Sequence, residues 1–505
     1  MALKKHIYIL IIVLITAAFF LPFQFLLNFA HDDSFFYIKT ANNLAKGLGS
    51  TFDGINLTNG YHPLYFICLV ILFVLPDFVL NASPELIFRI VVSSHFLMIV
   101  LIYYFLNESL KKILKDEFGK IVKLVLFSLL SALVFIRDFG LESHLACLIF
   151  SYFIYIKANE IETGKNNIVD KSVLFALLFL TRTDYLYSFI PAVLIADIFI
   201  SDKKTKYIVS SGIFLIITAV VYYTANYITF GNIDTVSGKM LNAFPHFLLF
   251  ENINTLITDP AKLYNQFARV IFLLFSAVLF TLFFIKKRKT ENKKNKFYVL
   301  LLCAGTGSVL FTFFHLLFNN YSIREWYMTL PVFISSVMIT VFLINKKITA
   351  YITLFLSFIV LIYVFYGSRI NNYKYVSGYE YSKALESLVK EDESIFQVDY
   401  CGVTGFFSNR KVINGDGLIN SFEYQQYLSE GKIGDYLEKY DVKYYSTYSA
   451  KNIYKDSIYI DDNFLDKTNG KEFIFGKPSL VLEMPFKWNH IAFDLEGRWY
   501  LFKLK

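Results

Sequence analysis

The 505-residue chain is 55% apolar and 19% aromatic against 18% charged, with a mean hydropathy of +0.47, which excludes an ordinary soluble enzyme. Apolar runs long enough to span a bilayer recur along it, so the composition reads as a polytopic membrane protein. Its net charge of +8 does not indicate nucleic acid, because Lys and Arg gather in short segments between apolar runs, where the positive-inside bias and anionic lipids account for them.

In chain order, Lys4 and Lys5 precede about twenty mainly apolar residues from His6, the length of a span, and no small-x-small cleavage site follows. A first helix with a cytoplasmic N-terminus is expected. Then come His31, Asp32 and Asp33, at the point where the chain leaves the bilayer. Behind them Phe36, Ala41, Leu44 and Leu48 recur at helical spacing, and the Gly, Asn and Asp residues between Gly47 and Gly60 break the pattern before Tyr61, His62 and Pro63. An amphipathic surface helix leading into an ordered loop is expected. One Asp suits an N-cap. A second adjacent carboxylate adds repulsion without capping value, and such a pair suits deprotonating a hydroxyl or holding a divalent cation.

Runs at roughly 6–27, 86–106, 121–137, 141–156, 172–182, 185–200, 206–229, 267–285, 297–318, 326–344 and 348–366 give about eleven crossings. If the short run 63–76 is re-entrant or tilted, the basic clusters at 111–123, 157–171, 203–206, 286–296 and 346–347 all face the cytoplasm. The same argument splits 172–200 into two half-length helices with Arg182 and Asp184 at their apex, either serving function or closing a helical hairpin as an ion pair. Residues 1–367 then form a membrane unit with an outer-surface loop at 28–85. Residues 368–505 form a small extracytoplasmic α/β domain, with helical patterns at 377–391 and 421–440 and β-like runs at 395–399, 442–447, 471–475, 479–484 and 498–504. Cys68, Cys147 and Cys303 lie in apolar helices and Cys401 in the polar part, so no disulfide framework is indicated.

Arg137 with Asp138, Glu142 with His144, Arg182 with Asp184, Lys239, and Arg324 with Glu325 reach the outer side from five segments. Cations set around carboxylates suit a phosphate leaving group, although each alone is more often an anchor or an ion pair. His31 and His62 read equally as structural or ligating. No His spacing resembles a zinc motif, and Walker A, Rossmann, G-x-S-x-G and H-E-x-x-H patterns are absent.

Asp32 Asp33, Phe35 Phe36 Tyr37, Asn43 Leu44, Gly47 Leu48 Gly49 and Gly60 Tyr61 His62 Pro63 Leu64 Tyr65 resemble the first outer loop of GT-C fold glycosyltransferases. The bacterial branch similar to cell-envelope arabinofuranosyl- and mannosyltransferases, with family 39-like enzymes, is nearest in pattern. The likeness continues in Phe139 Gly140 Leu141 Glu142 Ser143, similar to SG-M-E-T, and in Leu180 Thr181 Arg182 Thr183 Asp184, similar to L-x-R-P-D. Phe230 Gly231 Asn232 to Lys239 is similar to YG-x-x-x-P-x-S-x-x-x-K, and Gly402 to Phe407 with Asp416 Gly417 Leu418 to the start of the family's soluble domain. Thr183 and Thr235 stand in place of Pro and Tyr65 in place of Trp, which leaves the sugar undefined.

The resemblance implies transfer of a sugar from a polyprenyl-phosphate donor to an extracytoplasmic glycan, lipid or protein, by one inverting displacement at the outer face of the cytoplasmic membrane. It implies Asp32 as the base with Asp33 as the next choice, and Arg182, Lys239 and Arg324 on the donor phosphate. Glu142, His144, Tyr61, His62 and Asp184 are expected at or around the acceptor. No cofactor is required beyond a divalent cation that Asp32 and Asp33 are able to hold. Membrane lipids, donor and acceptor are the expected partners, and nucleic acid is not. A lipid or glycan transporter accounts equally for the aromatic and basic content, but not for two carboxylates at the first exit. A polysaccharide polymerase or ligase using a polyprenyl-linked donor is less consistent with that loop and a folded C-terminal domain.

Overall fold

The computed structural model describes residues 13–74, 82–131, 133, 138–165, 168–200, 204–259, 262–287, 292–344, 346–371, 373–449, 457–459, 474–476, 478–489 and 494–504. Lys4, Lys5 and Arg137 lie outside the described residues. The chain is mostly helical, with a small sheet near its C-terminus. Among the described residues, five helices are long and apolar enough to cross a membrane: Pro84–Glu117, Ile208–Phe230, Ala268–Lys287, Lys293–Phe318 and Glu325–Phe342.

Those five stand against the roughly eleven crossings expected from apolar runs. Several of the expected runs, 6–27 and 121–137 among them, fall partly outside the described residues, and others are interrupted by polar residues. The helix Ser143–Thr163 is long enough, but its last turns carry Lys157, Glu160 and Glu162. The run 172–200 is interrupted: a helix ends at Thr181, Arg182 is extended (φ −150°, ψ 112°), a 3-10 turn covers Thr183–Tyr187, and the next helix is Phe189–Ile200. The short apolar run after His62 forms the helix Pro63–Val74.

Between these helices, Lys157 and Lys171 meet Glu160 and Asp197 in a buried, charge-balanced group. Glu160 lies 2.7 Å from Lys157 and 2.8 Å from Lys171, and Lys171 lies 3.4 Å from Asp197. Opposite charges in equal number let polar side chains enter an apolar bundle and tie three helices together there.

Among the described residues the C-terminal part holds a five-stranded sheet of β1 (Ser394–Gln397), β2 (Lys411–Asn414), β3 (Val442–Ser449), β6 (Ser479–Asn489) and β7 (Asp494–Lys503). Their order across the sheet is β2-β1-β3-β7-β6. A separate hairpin pairs β4 (Ser457–Tyr459) with β5 (Ile474–Gly476). β1 is parallel to β2 and β3, whereas β7 is antiparallel to β3 and β6. Helix Tyr373–Leu388 covers the sheet: Tyr381 stacks on Trp499 with ring centroids 4.9 Å apart, and Trp499 Nε1 donates to Ser377 Oγ at 3.1 Å.

This domain is seated on the segment 28–85 of the helical unit. Phe35 packs on Phe406 and Phe407 of the short helix Cys401–Phe407. Lys383 and Tyr379 both reach Glu85, each at 3.0 Å. Two glycines permit the closest approaches: a Cβ at Gly402 would stand 2.2 Å from the Asp32 carbonyl oxygen, and one at Gly60 2.1 Å from that of Leu418. Gly402→Ala is therefore expected to lift the 401–407 helix off the surface helix. Limited proteolysis should then release the C-terminal domain at a protease concentration that leaves the wild type intact. Equal resistance would show that the contact yields freely.

Candidate functional site

The helix expected on the surface runs Asp32–Ala45 but is buried along most of its length, because the C-terminal domain packs over it, and its N-cap is His31 rather than either aspartate. His31 Nδ1 accepts from the Asp33 amide at 3.5 Å, and the His31 amide donates to Ser34 Oγ at 3.2 Å, a reciprocal capping pair. The two aspartates are thereby free for different tasks. Consecutive helical residues point about 100° apart, so Asp32 and Asp33 face different neighbours.

Asp32 is 6% exposed and faces the C-terminal domain. Its Oδ2 accepts from the Gly402 amide at 3.1 Å and its Oδ1 from the Val403 amide at 2.8 Å, so the carboxyl caps the 401–407 helix from another part of the chain. Burial pushes Asp32 well above the usual carboxylate range despite those two amides, and the neighbouring Asp33 charge adds to the rise. Asp32 is thus turned toward the C-terminal domain, with each oxygen holding one amide hydrogen, while Asp33 is the member of the pair that faces the cavity.

Asp33 keeps 27% of its side chain exposed and lines a cavity with Tyr37, His62, Glu142, Arg182, Trp326 and Leu418. Burial alone would raise its carboxyl, but the contact with the His31 ring, 3.3 Å from Asp33 Oδ1, and the charge of Arg324 outweigh it and hold Asp33 below its usual value. It is an ionised, accessible carboxylate, fit to accept a proton.

One turn further on, Tyr37 leads into the network behind the cavity. Its hydroxyl donates to Glu142 Oε2 at 3.0 Å and accepts from the His62 amide at 2.9 Å. Glu142 Oε1 accepts from Arg182 Nη1 at 2.6 Å. Arg182 gives Nε and Nη2 to Asp184 at 3.1 and 2.6 Å, and Asp184 Oδ2 lies 3.0 Å from His315 Nε2. The guanidinium sits 4.4 Å from the centroid of Tyr327. Arg182 is 2% exposed and bound by two carboxylates, so it brings no surplus positive charge to a phosphate. The hairpin ion pair is the arrangement observed, extended by Glu142 and His315.

The cavity beside Asp33 holds about 60 Å³ and adjoins a larger one of about 440 Å³, with His62, Arg182, Ser237, Leu241 and Tyr327 in the walls of both. The larger volume suits a small ligand. Its wall is strongly aromatic, with Tyr187, Tyr222, Tyr223, Phe244 and Phe314, and it includes Lys239. Lys239 is carried on the short helix Val236–Leu241, which Asn59 secures by accepting from the Val236 amide at 2.9 Å and donating to the Asp234 carbonyl at 3.1 Å. Lys239 is exposed, and no carboxylate among the described residues forms an ion pair with it.

The remaining expected residues divide. Arg324 acts on the Asp33 charge and packs on Tyr321, 5.1 Å to the ring centroid, but is in the wall of neither cavity. His62 is in both walls, with Nε2 3.9 Å from Glu142 Oε1. Tyr61 instead stacks on Phe66 at 3.6 Å and bonds Ser50 Oγ at 2.5 Å, which makes it part of the loop's frame. His144 is fully buried behind the site, 3.0 Å from His95 and 3.4 Å from Asp138, and does not reach the cavity.

Trp326, Tyr327, His315, Lys262 and Asp416 were not singled out by spacing. Lys262 shares an electrostatic environment with Arg324 and is, with Lys239 and Arg269, one of few basic residues in the segment 231–269, a sparsity that marks it. In comparisons with known proteins, no family model matches the chain and no curated protein matches it.

Proposed function

We propose that the protein is a membrane glycosyltransferase that moves a sugar from a polyprenyl-phosphate-linked donor to a hydroxyl at the outer face of the cytoplasmic membrane. The arrangement that carries this reading is a part-exposed carboxylate, Asp33, in the wall of a small cavity that adjoins a larger aromatic one lined by Lys239, which forms no ion pair among the described residues. Asp33 takes the proton of the attacking hydroxyl. The acceptor oxygen bonds to the anomeric carbon as the bond from that carbon to the phosphate oxygen breaks, with inversion. The electron pair leaves on the lipid phosphate, where Lys239 offsets the charge that develops. The Arg324 charge helps to lower the Asp33 carboxyl, and Arg182 orders Glu142 and Asp184 in the walls. In this reading the membrane unit has a GT-C arrangement of about eleven crossings, with the C-terminal domain on the outer side.

The test is a purified assay with short-chain polyprenyl-phosphate hexoses and pentoses and a panel of glycan, lipid and peptide acceptors. Transfer by the wild type is expected, with Lys239→Ala raising the donor KM about tenfold to a hundredfold, the worth of one hydrogen bond to a charged group. If the wild type consumes none of these donors, the reading fails.

A further inference from the structure

The chain between the apolar helices Ile208–Phe230 and Ala268–Lys287 is fastened to the end of a third, Lys293–Phe318. A helix leaves its last carbonyls without intrahelical partners, and here three of them are taken by that segment. The Ala243 amide donates to the Phe318 carbonyl at 2.7 Å, the Leu248 amide to that of Leu317 at 2.9 Å, and Asn252 Nδ2 to that of Leu316 at 2.9 Å. Asn252 Nδ2 also donates to the Asn319 carbonyl at 2.9 Å, and the Asn320 amide returns to the Leu241 carbonyl at 2.9 Å. The height of residues 241–252 is therefore set by the height of Phe318.

That height follows from the helix itself. Lys293, Lys294 and Lys296 mark one end of it. From Phe297 to Phe318 it rises about 32 Å at the usual helical pitch, against a hydrocarbon core about 30 Å thick. With the lysines in one headgroup layer, Phe318 reaches the other. Phe244 and Phe247 both rest on the Phe318 ring, with centroids 5.7 and 5.5 Å away, yet each is 67% exposed, and Phe250 is 82% exposed. The helix Leu249–Thr258 buries Asn252 and Leu256 and leaves Phe250 and Ile257 exposed beside Glu251 and Asn254. A row of exposed rings flanked by polar groups suits the boundary of headgroups and chains, where an amphipathic helix lies in the plane of the membrane. The helices before and after the segment also present exposed apolar side chains, Val220, Val221, Phe275 and Val278 among them, as lipid-facing helices do.

We propose that Phe244, Phe247 and Phe250 form a lipid-contact edge lying in the leaflet at this end of the helix, the outer leaflet in the orientation given above. The partner is the bilayer itself, phospholipid at the level where headgroup meets chain. The edge is continuous with the larger cavity, since Phe244 and Phe318 stand in its wall with Lys239. Lys239 is thereby kept near the level of the lipid phosphates. The inference requires that the chain span a bilayer but does not depend on sugar transfer.

Full-length Phe247→Trp and Phe250→Trp proteins in proteoliposomes test it, read as the emission each adds to that of the wild type. With phosphatidylcholine brominated on its upper chain carbons, the added emission should fall about twofold or more, because a helix of this kind sits about 5–10 Å into the boundary of headgroups and chains. Bromines near the chain ends should quench it less, and aqueous iodide should quench it less than it quenches free N-acetyltryptophanamide. Full quenching by iodide without quenching by brominated lipid would put the row in water and overturn the proposal. Insensitivity to both would put it under protein, and stronger quenching by bromines at the chain ends would put it in the bilayer centre; either result overturns the proposal equally. Each variant keeps an aromatic ring at an exposed position, so the fold should stand. The measurement needs no substrate, so a protein that transfers no sugar is still tested.

Discussion

Asp33→Asn is expected to lower sugar transfer about a hundredfold or more, the usual worth of a positioned general base, while the donor still binds. The amide keeps the size of the side chain but cannot take a proton. Asp32→Asn should behave differently. Its amide can accept from only one of the Gly402 and Val403 amides without turning its own NH2 toward the other, so the defect falls first on docking of the C-terminal domain. The pH profile separates the two independently. A general base must be deprotonated, so activity is lost as pH falls through its pKa. With Asp33 as the base, kcat/KM for the donor at saturating acceptor stays level down into the ordinary carboxylate range, because that carboxyl is held below its usual value. With Asp32 as the base, the acid limb would lie well above that range. A high acid limb together with near-normal transfer by the Asp33→Asn protein would overturn the mechanism.

Arg182→Ala should destabilise the protein by about 3–5 kcal/mol, because it leaves the buried carboxylates of Glu142 and Asp184 without their cation. A thermal scan of both proteins at one fixed rate in detergent registers it as a lowered unfolding temperature. Pairing Arg182→Met with Glu142→Gln should recover part of the loss, as fewer uncompensated charges remain. If Arg182→Ala instead leaves the unfolding temperature unchanged and raises only the donor KM, the guanidinium belongs to the phosphate rather than to the hairpin.

Some of this arrangement is legible along the chain. The helical spacing of Phe36, Ala41 and Leu44 marks the helix Asp32–Ala45, but not its burial: most of it is covered, and Leu44 of the expected apolar face is exposed. The basic clusters require a break in the run 172–200, and the helix does end at Thr181, with Arg182 extended. The β-like pattern at 442–447 lies within β3, Val442–Ser449. Each is a local signal, in which residues a few positions apart share a face or a terminus.

What the sequence determined by itself is therefore local: apolar composition, helix and strand periodicity, a turn-rich loop after the surface helix, and charges gathered at helix ends. Which carboxylate is free was decided by tertiary structure alone, because the amides that engage Asp32 belong to Gly402 and Val403, some 370 positions away. The fates of Arg182, which meets Glu142 across the bundle, and of His144, which turns back to His95, were decided in the same way. So was the seating of the C-terminal domain, where the Leu418 carbonyl rests over Gly60. Periodicity states which face of an element a side chain occupies. The physical value of a charge depends on its burial and on the partners that long-range packing brings to that face.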